Sequence, residues 1–184
     1  MAWGSTDYLD RKGGGGWRAT VADQKKMQVV FVSSGDFARD YFHAISEHSL
    51  QFNDVAVVHG SDAASIDEDE LAKKIDGAKV VVIGTCKRRS IVKGSRAQQI
   101  ESSAVEHARR TGARIVLFSE YAHEATLPHL EPARQTTPIV MIRENTSGPG
   151  GFLDLFLMGT EFVPVGNDDD SLTRMGAVIL RQLR

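Results

Sequence analysis

The sequence has one cysteine in 184 residues, Cys86, and a single cysteine excludes an intramolecular disulfide framework. It also leaves no Cys-x-x-Cys pair for zinc. The six histidines form no His-x-His, His-x-x-x-His or His-Glu-x-x-His spacing. We therefore expect no metal site and no bound cofactor. The chain is long enough for one domain that is stabilised by apolar burial alone.

The sequence also lacks a large excess of charge of one sign and lacks long apolar runs. The formal net charge is −2 and the pI is about 6.3, so no global attraction to nucleic acid or to anionic membranes is expected. The local exception, Lys87-Arg88-Arg89, is typical either of a solvated loop or of a phosphate contact. The apolar runs have the length of strands, and the N-terminus has no signal-peptide core, which together predict a cytoplasmic protein without membrane contact.

Residues 1–26 differ in composition from the rest of the chain. They carry no hydrophobic periodicity and include the run Gly13-Gly-Gly-Gly16, which is flexible by composition. We interpret them as a tail or linker ahead of a single domain at residues 27–184. Trp3 and Trp17 could dock on that domain or on a partner, so contact with a protein partner or a second copy is assigned to this tail.

From residue 27 onward, short apolar runs alternate with segments of helical periodicity. Continuous apolar strands separated by helices are typical of a parallel sheet that is covered on both faces. The sequence therefore predicts an α/β fold, a doubly wound, flavodoxin-like parallel sheet of order 2-1-3-4-5 with helices on both faces. The predicted strands are residues 27–32, 54–58, 79–84, 113–118, 138–142 and 161–165, and the helices are 37–49, 67–76, 96–111, 152–158 and 171–183.

In such a sheet the ligand crevice lies beyond the carboxyl ends of the strands, beside the switch point between strands one and three. Three common nucleotide or phosphate sites are excluded there. No Gly-x-Gly-x-x-Gly follows the first strand, no Gly-x-x-x-x-Gly-Lys-Ser/Thr occurs, and Gly84-Thr85 stands where a phospho-acceptor acid would end strand three. The residues that the pattern places at the crevice are Ser33, Ser34, Gly35 and Asp36, residues 59–62, the loop from Thr85 to Ser95, and Glu101.

Small hydroxyl residues, a glycine and one glutamate suit a sugar or nucleoside ligand. Hydroxyl and amide groups can hold ribose and phosphate, while a carboxylate can stabilise the oxocarbenium-like state of N-glycosidic cleavage. A competing interpretation of Glu101, which is expected in the first turn of its helix, is simple compensation of the helix dipole. His123, Glu124 and His129 are expected in an exposed loop between strands four and five.

The order of these segments resembles TIR domains and nucleoside deoxyribosyltransferase-like proteins. The segments that carry the resemblance are residues 32–36, 71–78, 80–83, 95–101 and 108–115. The tryptophan that is usual in TIR domains shortly before the glutamate is replaced here by Ala97-Gln98. The resemblance implies Glu101 as the catalytic carboxylate. It further implies ribose or phosphate binding by the turn at residues 33–36, a pocket lined by Thr85 and Ser95, and Arg88 as a phosphate contact.

The predicted function is accordingly cleavage of a base–ribose bond in a nucleotide or nucleoside, with NAD as a substrate rather than a cofactor. One alternative is a signalling or nucleotide-binding module of the same fold that performs no turnover. Another is a flavodoxin-like protein that binds FMN through residues 33–37. The expected partner is a small nucleotide, with no nucleic acid.

Overall fold

Within the described residues, six strands form one sheet of order β2-β1-β3-β4-β5-β6, and every neighbouring pair is parallel. The strands are β1 (Val29–Ser33), β2 (Val55–His59), β3 (Val80–Gly84), β4 (Arg114–Ser119), β5 (Ile139–Ile142) and β6 (Glu161–Pro164). The predicted α/β class and the strand order 2-1-3-4-5 are confirmed. β6 extends the sheet beyond β5.

The structure is a computed structural model that describes residues 28–48, 55–59, 68–86, 90–119, 122–136, 139–142, 161–164, 166 and 168–184. Several sequence predictions fall elsewhere in the chain. The predicted tail at residues 1–26, Arg88 with its basic neighbours, and the predicted helix at residues 152–158 lie outside the described residues. Asp36 is described as part of a helix, but its side chain is not described.

Five α-helices connect or follow these strands in the described part of the chain. They are α1 (Asp36–His48), α2 (Glu68–Ile75), α3 (Arg96–Thr111), α4 (Glu131–Thr136) and α5 (Asp169–Arg181). Two short 3₁₀ helices, Ala122–Thr126 and Pro128–Leu130, join β4 to α4. The observed bounds of α3 are those that its periodicity predicts. The other predicted elements that are described begin and end within about two residues of prediction, the usual uncertainty of element ends. The two 3₁₀ helices and α4 were not predicted, because the sequence analysis expected a loop between strands four and five.

Each central strand is apolar throughout because its alternate residues enter two different cores. In β1, Val30 and Val32 pack with α2, α3 and α4, while Val29 and Phe31 pack with α1 and α5. Successive side chains of a strand point to opposite faces, so a continuous apolar run is needed when both faces are covered. Each fully buried side chain of this kind contributes about 1.5–3 kcal/mol of burial free energy.

The start of α5 corrects a sequence prediction. Asp168 caps this helix, whereas the helix start predicted at residue 171 implies a cap at Asp170 or Ser171. The backbone N–H of Ser171 donates to Asp168 Oδ1 and its hydroxyl donates to Oδ2, both at 2.9 Å. These two hydrogen bonds hold the pKa of the Asp168 carboxyl below its usual range. Three consecutive aspartates, residues 168–170, precede Ser171, and the first of them is the cap in the folded helix.

The lowered pKa of Asp168 predicts a pH-dependent contribution to stability. The contribution is present above the unfolded-state pKa of about 3.9 and is lost as the pH falls through the lower folded-state value. Asn also caps helices but does not titrate, so Asp168→Asn should be less stable than wild type at neutral pH. Urea denaturation across the acid range should show the two stabilities converging. A constant difference down to the lowest pH would contradict the assignment.

Gly84, the last residue of β3, allows a close approach of α1 to the sheet. A β-carbon at Gly84 would lie 2.5 Å from Ala38 Cβ and 2.8 Å from Phe42 Cζ. Gly84→Ala should therefore destabilise the protein by overpacking, by about 1–3 kcal/mol in urea denaturation. Ala38→Gly should relieve part of that strain in the double variant, so the two changes should be less costly together than their sum. Additivity within about 0.5 kcal/mol would contradict a direct clash.

Candidate functional site

The carboxyl ends of three neighbouring strands lie side by side at the switch point. Ser33 at the end of β1 is in register with Gly84 at the end of β3, and Gly84 is in register with Phe118 of β4. The chain leaves β1 towards β2 on one side and enters β3 on the other. Open α/β sheets bind ligands outside the strand ends at such a point.

The turn after β1 is tied to the end of β3. The backbone N–H of Ser34 donates to the Gly84 carbonyl at 3.3 Å, and the Ser34 hydroxyl oxygen lies 3.0 Å from the same carbonyl. Ser33 donates its hydroxyl to the Gly35 carbonyl at 3.1 Å. A β-carbon at Gly35 would lie 2.8 Å from Cys86 Sγ, so this turn packs directly on the loop that follows β3. The predicted residues Ser33, Ser34 and Gly35 thus lie together at the carboxyl ends of β1 and β3.

Glu101 reaches this edge from α3, and its side chain is 0% exposed. Within the described residues it takes part in three hydrogen bonds. Its Oε1 accepts from the hydroxyls of Ser34 and Ser90, each at 2.5 Å. Its Oε2 lies 2.6 Å from His129 Nε2. The carboxylate therefore connects the turn after β1, the loop after β3 and the connection after β4.

The position of Glu101 along α3 differs from the prediction of a first-turn residue. The helix begins at Arg96, which makes Glu101 the sixth helical residue, and its first turn contains no acidic residue. The helix dipole acts mainly within the terminal turn, so dipole compensation does not account for this glutamate. Glu101 instead belongs to the buried face of the helix, whose other members are Ala97, Ile100, Ala104, Val105 and Ala108.

Ser90 is a site residue that the sequence analysis did not single out. Its hydroxyl accepts the backbone N–H of Cys86 at 2.7 Å while donating to Glu101, and its own N–H donates to the Cys86 carbonyl. The side chain is 0% exposed. One serine among several polar loop residues gives no signal of this role in the sequence, because only the folded turn aims its hydroxyl at Glu101.

His129 is the second residue that the sequence analysis missed. The expectation of an exposed loop is wrong for His129, whose side chain is 10% exposed, and for Glu124, which is 0% exposed. The side chain of His123 lies outside the described residues. The connection is anchored by apolar residues at intervals of three, Leu127, Leu130 and Ala133, which pack on the core beside α3. That spacing was a signal of burial available in the sequence.

Thr85 belongs to a second buried polar cluster rather than to the Glu101 contacts. Its hydroxyl lies 3.0 Å from Ser119 Oγ and 2.8 Å from Glu124 Oε2. Ser119 ends β4, and Glu124 lies on the first 3₁₀ helix. Because Thr85 directly follows Gly84, this cluster lies beside the Ser34 contact and fixes the β4 connection that carries His129.

Ser95 is the N-cap of α3, and its hydroxyl accepts the backbone N–H of Gln98 at 3.2 Å. Its observed contact is therefore a helix cap. Asp36 is the first residue of α1.

Within the described ranges, no three His, Cys, Asp or Glu side chains are grouped to hold a metal ion. No helix in these ranges has the length and apolarity to cross a membrane.

Comparisons with known proteins found structural neighbours at low sequence identity, two of which follow. No family model matches the chain, and no curated protein matches it. A flavodoxin-like domain from Synechococcus sp. is a structural neighbour at 18% identity, covering 83% of this chain and 99% of that one, with a TM-score of 0.48. A de novo designed Rossmann 2x3 protein aligns at 12% identity over 84% of this chain and 90% of that one, with a TM-score of 0.43.

Removing either hydroxyl that serves Glu101 Oε1 should destabilise the protein. Ser34→Ala and Ser90→Ala each remove a hydrogen bond to a buried charge, for which about 1.5–3 kcal/mol is expected in urea denaturation. Ser33→Ala is the matched control, because that hydroxyl bonds a neutral carbonyl and should cost about 1 kcal/mol. Equal losses at all three serines would show that the charge of Glu101 does not set the energetics of this edge.

Proposed function

We propose that this protein binds a nucleotide or nucleoside at the carboxyl edge of the sheet and cleaves the bond between base and ribose. NAD is the proposed substrate and Glu101 the catalytic carboxylate. The proposal is carried by one observation, the buried Glu101 carboxylate held at the switch point by hydroxyls from two loops. The proposed setting is the cytoplasm, where NAD is available to the protein.

The energetic cost of this arrangement supports a functional role. A carboxylate is expensive to bury, and the basic side chain that contacts Glu101 within the described residues is a histidine rather than lysine or arginine. Its neighbours on the buried face of α3 are all apolar, so Glu101 places a charge in an otherwise apolar helix face. Costly ionisable groups at a ligand crevice are typical of functional sites.

The chemistry requires a negative charge beside the anomeric carbon. As the C1′–N bond breaks, its electron pair goes to the base, and positive charge develops on the ribose. The nicotinamide of NAD leaves as a neutral molecule because it is already cationic when attached. Water adds its hydroxyl to C1′ and one proton is released. Glu101 stabilises the developing cation by charge or by transient attachment to C1′.

Substrate can reach Glu101 only if one of its present contacts is displaced. Among the segments that contact Glu101, the turn that follows Ser90 should move at the lowest free-energy cost. Its residues 91–94 are exposed, including Ile91 at 51% and Val92 at 57%. Motion of such loops on substrate binding is common in enzymes. The proposal therefore includes opening of this turn and replacement of the Ser90 hydroxyl by a ribose hydroxyl.

The test compares wild type with Glu101→Gln in the release of nicotinamide from NAD, which is measured by chromatography. The substitution removes the charge and keeps the shape, so the rate should fall by about 100- to 1,000-fold. Glu106→Gln is the matched control, since Glu106 lies on the same helix but is exposed, and its rate should equal that of wild type. Thermal unfolding of each variant separates loss of activity from loss of fold.

The proposal would be overturned if wild type, including any assembled or partner-bound form, releases no base from NAD or from nucleosides. An undiminished rate in Glu101→Gln would remove Glu101 from the mechanism.

A second candidate is a module of the same fold that binds a nucleotide and signals without turnover. The complete burial of Glu101 favours it, because a carboxylate with both oxygens already hydrogen-bonded needs no substrate to satisfy it. Titration calorimetry with NAD distinguishes the two candidates. Binding that survives Glu101→Ala, without release of nicotinamide, supports the binding module, whereas slow heat from hydrolysis in wild type supports the enzyme.

A further inference from the structure

The side chain of Gln98 connects a backbone N–H to the ring of His129. Gln98 lies on α3 three residues before Glu101, and its Oε1 accepts the Gly94 N–H at 2.7 Å. Because a backbone N–H can only donate, this atom of the amide must be the oxygen. The other end of the amide is then the NH₂ group, and it faces His129 Nδ1 at 3.4 Å.

The same reasoning extends through the imidazole ring. An amide NH₂ group can only donate, so Nδ1 of His129 accepts through its lone pair. A neutral imidazole that accepts at one nitrogen carries its proton on the other. That proton on Nε2 then points at Glu101 Oε2, 2.6 Å away, and an ionised carboxylate can only accept. Every hydrogen bond from Gly94 to Glu101 thus runs in one direction.

We propose that His129 is a positioning residue for the Glu101 carboxylate and that Gln98 fixes it as the neutral tautomer protonated on Nε2. The tautomer follows from the hydrogen bonds alone. The catalytic consequence rests on the proposed base–ribose cleavage.

Two physical effects follow for the carboxylate. His129 occupies Oε2 while Ser34 and Ser90 occupy Oε1, which fixes the plane of the carboxylate from both sides. A neutral ring also leaves the full negative charge of Glu101 in the site. An imidazolium would cancel that charge and weaken stabilisation of a ribosyl cation. The Gln98 amide N–H donates to Nδ1 of His129 and disfavours a proton there. The ring therefore stays neutral, and the negative charge of Glu101 is not cancelled.

Gln98→Glu tests this assignment because it keeps the shape and reverses the polarity of one hydrogen bond. One oxygen of the new carboxylate still accepts from Gly94, and the other now requires a donor from Nδ1. We expect the His129 ring to become protonated on both nitrogens at neutral pH. Nitrogen NMR of the labelled imidazole should show one protonated nitrogen, Nε2, in wild type and two in the variant. The His129 signal is identified by its loss in His129→Gln.

Release of nicotinamide by Gln98→Glu should fall by about 10- to 100-fold, the loss typical of residues that orient a site through another residue. Gln99→Glu is the matched control, since it adds the same charge at the next position, where the side chain is exposed. It should change neither the ring spectrum nor the rate. His129→Gln keeps an N–H donor and should retain more activity than His129→Ala.

The outcomes separate this inference from the proposed function. Wild-type His129 protonated on Nδ1, or a ring spectrum unchanged by Gln98→Glu, overturns the positioning assignment whether or not NAD is cleaved. The expected spectra without nicotinamide release support the assignment and refute the enzyme. The wild-type spectrum decides the tautomer even if the Gln98 variant does not fold.

Discussion

The hydrogen bonds of one buried carboxylate hold the carboxyl edge of this sheet together. Glu101 connects three segments that are distant in sequence, through Ser34, Ser90 and His129. A charge removed from water must find donors, so each segment is held where it can supply one. The geometry of this edge therefore follows from the requirements of this charge as much as from the strands that end there.

The two cores explain how the fold tolerates such a group. Apolar side chains on both faces of the sheet supply the burial free energy, and the polar contacts of Glu101 and Thr85 lie beyond the ends of β1, β3 and β4. The second cluster, centred on Thr85 and Glu124, lies beside the first and stabilises the connection that delivers His129. Stability thus comes from the sheet, while the edge can carry costly polar groups.

Much of this architecture could be predicted because its signals are local. Continuous apolar strands and the 3.6-residue period of α3 gave the class, the strand order and the helix bounds. The pairing of Ser34 with Glu101 followed from topology, since parallel strands bring their following loops to one edge. The predicted start of α3 at residue 96 is confirmed, and a helix of 3.6 residues per turn that starts there has Glu101 in its second turn, so the first-turn prediction was wrong.

The sequence by itself determined the layered sheet and the edge at which polar residues gather, because the periodicity of buried residues is a property of short segments. Only the tertiary structure decided that Ser90 and His129 complete the environment of Glu101 and that Asp168 caps α5. These choices depend on distances between segments that are separated along the chain. A hydroxyl or imidazole acquires its role from the group it faces after folding, and no local pattern encodes that partner.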